Sequence, residues 1–129
     1  MQDFSGLAPT AQGTIGVGIA IGYYSSHGYI VSVPLTDIQK YDLLIDNGDG
    51  IKKVQVKTAR RRINGKYEVE LRTVCPKKTT KNIITKFDSS LVDYLFIALD
   101  DGRKYNIPCS EINVKSGITI TKKLDRYSV

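Results

Sequence analysis

A chain of 129 residues, 41 % hydrophobic and 25 % charged, is long enough to bury one real core and has the make-up of an ordinary globule. Two cysteines without CxxC spacing (Cys75 and Cys109) and one histidine (His27) exclude zinc sites and Cys–His nucleophilic chemistry, and they fit a reducing, cytoplasmic setting. No apolar run reaches membrane-spanning length, and the net charge of +6 is spread very unevenly.

Met1 to Thr10 reads as a short arm without periodicity. Thr14 to Ser26 is expected as a helix, with Ile15, Ile19 and Tyr23 at spacing four. Its glycines, Gly16, Gly18 and Gly22, cost about 1 kcal/mol each relative to Ala, so packing must hold the helix, and they let it lie close to a sheet. Ile15 to Tyr24 is too short to span a bilayer and has no basic flank before it, which argues against a signal peptide. The spacing Gly13-x-x-Gly16-x-Gly18 is not a phosphate cradle: it follows no strand and lacks the Lys-Ser/Thr of a P-loop. Gly28 stops the helix, and Tyr29 to Val33 alternates as a strand ending at Pro34.

The centre of the chain is a predicted hairpin. Tyr41 to Asp46 and Lys53 to Lys57 flank Asn47-Gly48-Asp49-Gly50, whose Asn-Gly and Asp-Gly pairs are strong turn formers. Period-2 alternation puts Gln55 and Lys57 on one face of the second strand, with Val54 and Val56 on the other. Asp42, near the start of the first strand, can then lie beside the end of the second. A carboxylate, an amide oxygen and a lysine at one sheet end suit a hard cation and a phosphate.

Tyr67 to Val74 alternates as a further strand with Glu68 and Glu70 on its wet face, and Lys77 to Lys86 reads as a polar loop. Tyr94 to Leu99 is a continuous apolar run, as in a strand buried on both faces; Asp100-Asp101-Gly102 turns it into Lys104 to Ile107. Pro108 starts a short turn or helix, and Gly117 to Lys122 is expected as an edge strand. No repeat, linker or low-complexity segment interrupts the chain, which reads as one domain over residues 1–129.

Residues 52–86 hold twelve Lys and Arg against Glu68 and Glu70 alone, a net +10 that leaves −4 for the rest. Such segregation marks a polyanion-binding face. Its candidate phosphate contacts are Arg60, Arg61, Arg62, Lys66, Arg72, Lys77, Lys78 and Lys81, with Thr79, Thr80 and Asn82 as further donors.

An ordered set of segments runs from about Gln12 to about Ile112. It comprises Gly13-Thr14-Ile15-Gly16, Gly28-Tyr29, Tyr41-Asp42-Leu43, Val54-Gln55-Val56-Lys57-Thr58, Tyr94-Leu95-Phe96, and Asp101-Gly102 with Ile107-Pro108. This set resembles the PD-(D/E)XK nuclease superfamily, most nearly its group I intron-associated homing endonucleases, in a variant with Gln in place of the second acid. The resemblance implies an α/β fold with a restriction-endonuclease-like core, in which an N-terminal helix packs on a mixed central sheet of about five strands. It implies a magnesium- or manganese-dependent DNA endonuclease in which Asp42 and Gln55 hold the metal and Lys57 positions the attacking water. It also implies a homodimer or larger homo-oligomer.

One position departs from that pattern. Family members usually carry a Glu directly after the glycine equivalent to Gly16, and here the residue is Val17. No acidic residue lies between Asp3 and Asp37, so the helix cannot supply one from a neighbouring turn. Glu68, Glu70 and Asp37 are the replacement candidates. The alternative reading is a catalytically degenerate nucleic-acid-binding protein on the same fold. A third reading, an interaction subunit whose basic block meets an acidic protein, requires no site at all.

Overall fold

The structure, a computed structural model, describes Phe4 and residues 9–36, 39–75 and 83–129. Helix α1 covers Pro9–Ser26, starting five residues before the expected Thr14. Its buried stripe is Gly16, Ala20 and Tyr24 at spacing four, while Ile15, Ile19 and Tyr23 flank it half-buried. The helix closes where Gly28, at φ +86°, lets the Tyr29 amide reach back to the Tyr24 carbonyl at 3.0 Å, as in a Schellman cap.

The strands that follow are β1 (Ile30–Ser32), β2 (Leu43–Asp46), β3 (Ile51–Ala59), β4 (Glu68–Glu70), β5 (Thr73–Cys75), β6 (Ile83–Thr85), β7 (Tyr94–Leu99), β8 (Lys104–Pro108) and β9 (Gly117–Thr119). A mixed five-stranded sheet has the order β1-β2-β3-β7-β8. The hairpin β2–β3 pairs Leu43 with Val54 and Asp46 with Ile51, leaving residues 47–50 as the loop. Gly48 and Gly50 take φ of +102° and +110° there, which a Cβ would strain. Strand β7 lies parallel to β3, with Val54 opposite Tyr94 and Lys57 opposite Ile97, and β8 returns antiparallel along its far side. Its central place, covered on both faces, accounts for the unbroken apolar run.

One core lies between α1 and the sheet and contains Ala20, Tyr24, Leu43, Ile45, Val54, Val56, Phe96 and Ala98. Tyr24 is fully buried there and satisfies its hydroxyl on Asn106 Oδ1 at 2.7 Å. The opposite face carries a second core, in which Leu95, Ile97, Leu99, Tyr105 and Ile107 meet Tyr67, Val69, Leu71 and Leu124.

The strand expected over Tyr67–Val74 divides in two. Strand β4 pairs with β9, and β5 pairs with β6, which lies in the stretch expected to be loop. The break falls at Leu71 and Arg72. The Leu71 amide bonds to the Ser116 carbonyl in the β4–β9 register, and the Arg72 amide is then taken by the Glu70 carboxylate, which ends that pairing. The final strand is likewise shorter than expected: β9 stops at Thr119, and a 3-10 helix over Lys122–Tyr127 seats Leu124 in the core.

Gly16 sets how closely α1 approaches the sheet. A Cβ on it would lie 2.4 Å from Thr58 Cγ2 and 3.4 Å from Val56 Cγ1. Thr58 is β-branched and stiff, so it cannot swing away cheaply. Gly16→Ala should therefore destabilise the fold by about 1–3 kcal/mol despite its better helix propensity. Adding Thr58→Ser, which removes the opposing methyl, should recover most of that loss in chemical denaturation. No recovery would mean that the close approach is not what demands glycine.

Candidate active site

Asp42 directly precedes β2, and its amide already joins the ladder by donating to the Val54 carbonyl at 2.8 Å. Leu43 faces α1, so alternation turns Asp42 to the other side of the sheet, beside Gln55 and Lys57. Both hydrogen bonds to its carboxylate fall on Oδ2: the Gln55 side-chain amide donates at 2.9 Å and the Val56 backbone N–H at 2.7 Å. A carboxylate only accepts, so Gln55 must present its nitrogen to Asp42 and turn its oxygen elsewhere.

Burial dominates the electrostatics. It pushes the Asp42 carboxyl above its usual range, against the pull of the Val56 N–H and of Lys57. It likewise pulls the Lys57 ammonium below its usual range, against the opposing charges of Asp42 and Glu70. Each group is thus drawn towards neutrality by desolvation and back towards charge by the other.

Glu70 is exposed and clamped by Arg72, whose Nε meets Oε1 at 2.7 Å and whose Nη2 meets Oε2 at 3.0 Å. That fork, together with the Arg72 backbone N–H, holds the Glu70 carboxyl down at about 2. Its charge reaches Lys57, but both its oxygens are occupied. Glu68 pairs loosely with Arg62 at 3.5 Å on the surface.

A cleft of about 640 Å³ opens against the Asp42 end of the sheet, lined by Val17, Tyr41, Asp42, Gln39 and the Val33–Thr36 stretch. Val17 and Asp42 therefore share one cleft, so a carboxylate at position 17 would stand in the same space as Asp42. Among the described residues, no three His, Cys, Asp or Glu side chains converge as a metal cage. Side-chain oxygens that could reach a cation here include Asp42 Oδ1 and the Gln55 amide oxygen, hard donors of the kind divalent cations take.

The basic candidates separate in space. Arg60 continues from the end of β3 and is half-buried, Arg61, Arg62 and Lys66 are exposed on the hairpin beyond it, and Arg72 holds Glu70. Lys77, Lys78 and Lys81, with Thr79, Thr80, Asn82 and Asp37, lie outside the described residues.

A model of the PD-(D/E)XK endonucleases matches residues 8–126. The chain belongs to that family. A bacterial homing endonuclease, I-Ssp6803I, has the same fold, with a TM-score of 0.74 at 23 % identity over 89 % of this chain and 79 % of that one. No curated protein matches the chain. The restriction-endonuclease-like core expected from the ordered motifs is thus present: one main helix on a mixed five-stranded sheet. No helix among the described residues is long and apolar enough to cross a membrane.

Sequence reasoning did not single out the residues that wall this cleft, Val33 to Thr36 and Gln39. Val33 is expected to end a strand, but β1 stops at Ser32, and the connection after it folds over the sheet end to Asp42. Their one signal is the apolar Pro34-Leu35 step in a connecting segment, with Leu35 fully exposed.

Because folding raises the Asp42 pKa, the group favours the folded state at acid pH and costs stability as pH rises through its folded-state value. Asp42→Asn keeps an acceptor for both N–H donors and removes the buried charge. It should raise Tm by about 2–4 °C at neutral pH and leave it unchanged near pH 3. A lower Tm at neutral pH would show that the charge is stabilising in place.

Proposed function

We propose that the protein is a metal-dependent DNA endonuclease that hydrolyses phosphodiester bonds. The observation that carries this reading is the meeting of Asp42 with Gln55 midway along β3, with the Lys57 charge acting on Asp42 from the same strand and a cleft that Asp42 itself lines. Asp42 and Gln55 would hold Mg²⁺ or Mn²⁺, which when bound supplies Lewis-acid polarisation of the phosphate and a more acidic water. Lys57 is placed to position the attacking water and to offset the charge that builds on the phosphoryl oxygens. Water attacks phosphorus and releases a proton to solvent as the bond to the leaving oxygen breaks, and that oxygen takes up a proton from solvent. The shared desolvation of Asp42 and Lys57 strengthens their hold on charge that develops nearby.

Arg60, Arg61, Arg62 and Lys66 follow Lys57 along the chain, so backbone contacts would sit next to the chemistry. DNA as the substrate is supported by I-Ssp6803I being a homing endonuclease. One site per chain cuts one strand, so a double-strand break requires at least a homodimer. Cys109, buried with its thiol pushed up to about 11, is inert and agrees with a reducing, cytoplasmic setting.

A second reading, a DNA-binding protein that has lost catalysis, is favoured by Val17 standing where a carboxylate would complete the site. Supercoiled plasmid with magnesium or manganese separates the two. Metal-dependent nicking, abolished in Asp42→Ala, is the expected result; binding without nicking would support the second reading. Lys57→Ala should lower cleavage by about 10²–10³-fold while changing DNA affinity only a few-fold. Equal loss of both would remove the assigned role. Val17→Glu should tighten the metal requirement, lowering the magnesium concentration at half-maximal nicking.

A further inference from the structure

The hairpin that extends β3 ends in a side chain its surroundings do not account for. Ile63 is fully exposed, at 110 % relative accessibility, between Arg61, Arg62 and Lys66. The tip holding it is well built. The Gly65 amide donates to the Arg62 carbonyl at 2.8 Å, the Arg62 amide donates to the Lys66 carbonyl at 2.8 Å, and Asn64 Oδ1 accepts the Lys66 amide at 3.0 Å. Gly65 takes φ +79°, as this turn requires. At its base Arg61 bridges to Tyr67, whose ring is buried and whose hydroxyl donates to Asp100 Oδ1 at 2.7 Å. The chain therefore spends hydrogen bonds to hold one aliphatic side chain outward in a ring of cations.

We propose that Ile63 is an apolar wedge that inserts between stacked base pairs of duplex DNA, while Arg61, Arg62 and Lys66 neutralise the phosphates on either side. The inference rests on the DNA reading above and adds to it a kinked substrate. Charge complementarity selects this occupant. An apolar protein surface would have to desolvate the surrounding cations, whereas a duplex offers phosphates to them and base faces to Ile63 within one groove width. The Arg62 side chain pairs with Glu68 at 3.5 Å on the surface, a weak exposed contact that it can exchange for a phosphate at little cost. Ile63 lies six positions after Lys57, a reach of at most about 20 Å, so the kink would lie within about six base-pair steps of the cut phosphate.

The test uses the whole protein in metal-free buffer, with duplexes of about 30 base pairs carrying a central TA step, 2-aminopurine at scanned positions and dyes at both ends. The wild type should raise the 2-aminopurine signal at one step and shorten the end-to-end distance. Ile63→Ser, which leaves the core untouched and should keep its Tm, should lose both signals and about tenfold in affinity, with the salt slope unchanged. Ile63→Leu should keep both signals. Arg62→Gln should keep the signals and flatten the salt slope by about one. Binding without unstacking, or unstacking that survives in Ile63→Ser, overturns the wedge alone. No duplex binding by the wild type at low salt overturns the DNA reading, and the wedge with it. Dissociation of an oligomer in Ile63→Ser would assign the tip to a second copy and also overturn the wedge.

Discussion

Strand β3 is paired along both edges, antiparallel to β2 and parallel to β7, and the rest of the molecule depends on that double pairing. With its register held on both sides, its alternation cannot slip, and a slip of one residue would turn every side chain to the wrong face. Val54 and Val56 therefore go to the α1 core, and Thr58 meets Gly16. Gln55 and Lys57 go to the opposite face, where β2 delivers Asp42. The core and the site are two faces of one strand, so neither can be shifted without the other.

Asp42 and Lys57 are both partly withdrawn from water. Burial weakens the hold of each on its charge, and their mutual attraction restores part of it. Partly desolvated charges of this kind are costly to the fold, and perturbed groups of this kind cluster at functional sites. Val17 lines the same cleft as Asp42, and Glu70, whose charge reaches Lys57, is held by the two-pronged grip of Arg72.

The basic block has its own architecture. Its first part, from Arg60 to Lys66, is a hydrogen-bonded hairpin anchored by Tyr67. Arg72, from the same run of charge, is engaged with Glu70 instead. A linear count of cations treats these residues alike, whereas the fold divides them between outward contact and internal restraint.

Much of this was legible in the amino-acid order, where the physics is local. The turn chemistry of Asn47 to Gly50, the period of Val54 to Lys57 and the apolar run from Tyr94 to Leu99 each determined an element and its facing. Together they determined which of Asp42, Gln55 and Lys57 could share a face. The extent of Tyr67–Val74 was not legible, because its first half pairs with β9 and its second with β6, and Arg72 between them gives its amide to Glu70. The same holds for the stripe of α1. Ile15, Ile19 and Tyr23 are the more apolar series, yet Gly16, Ala20 and Tyr24 are buried, since contact with Thr58 rewards the smallest side chain. By itself the sequence determined the central hairpin, the buried strand Tyr94–Leu99, which of Asp42, Gln55 and Lys57 could share a face, and the segregation of charge. Only the tertiary structure decided that Val17 opens onto the cleft of Asp42, that Arg72 occupies Glu70, and that Ile63 stands uncovered. Each of those outcomes depends on the approach of chain segments distant in sequence, which no local period encodes.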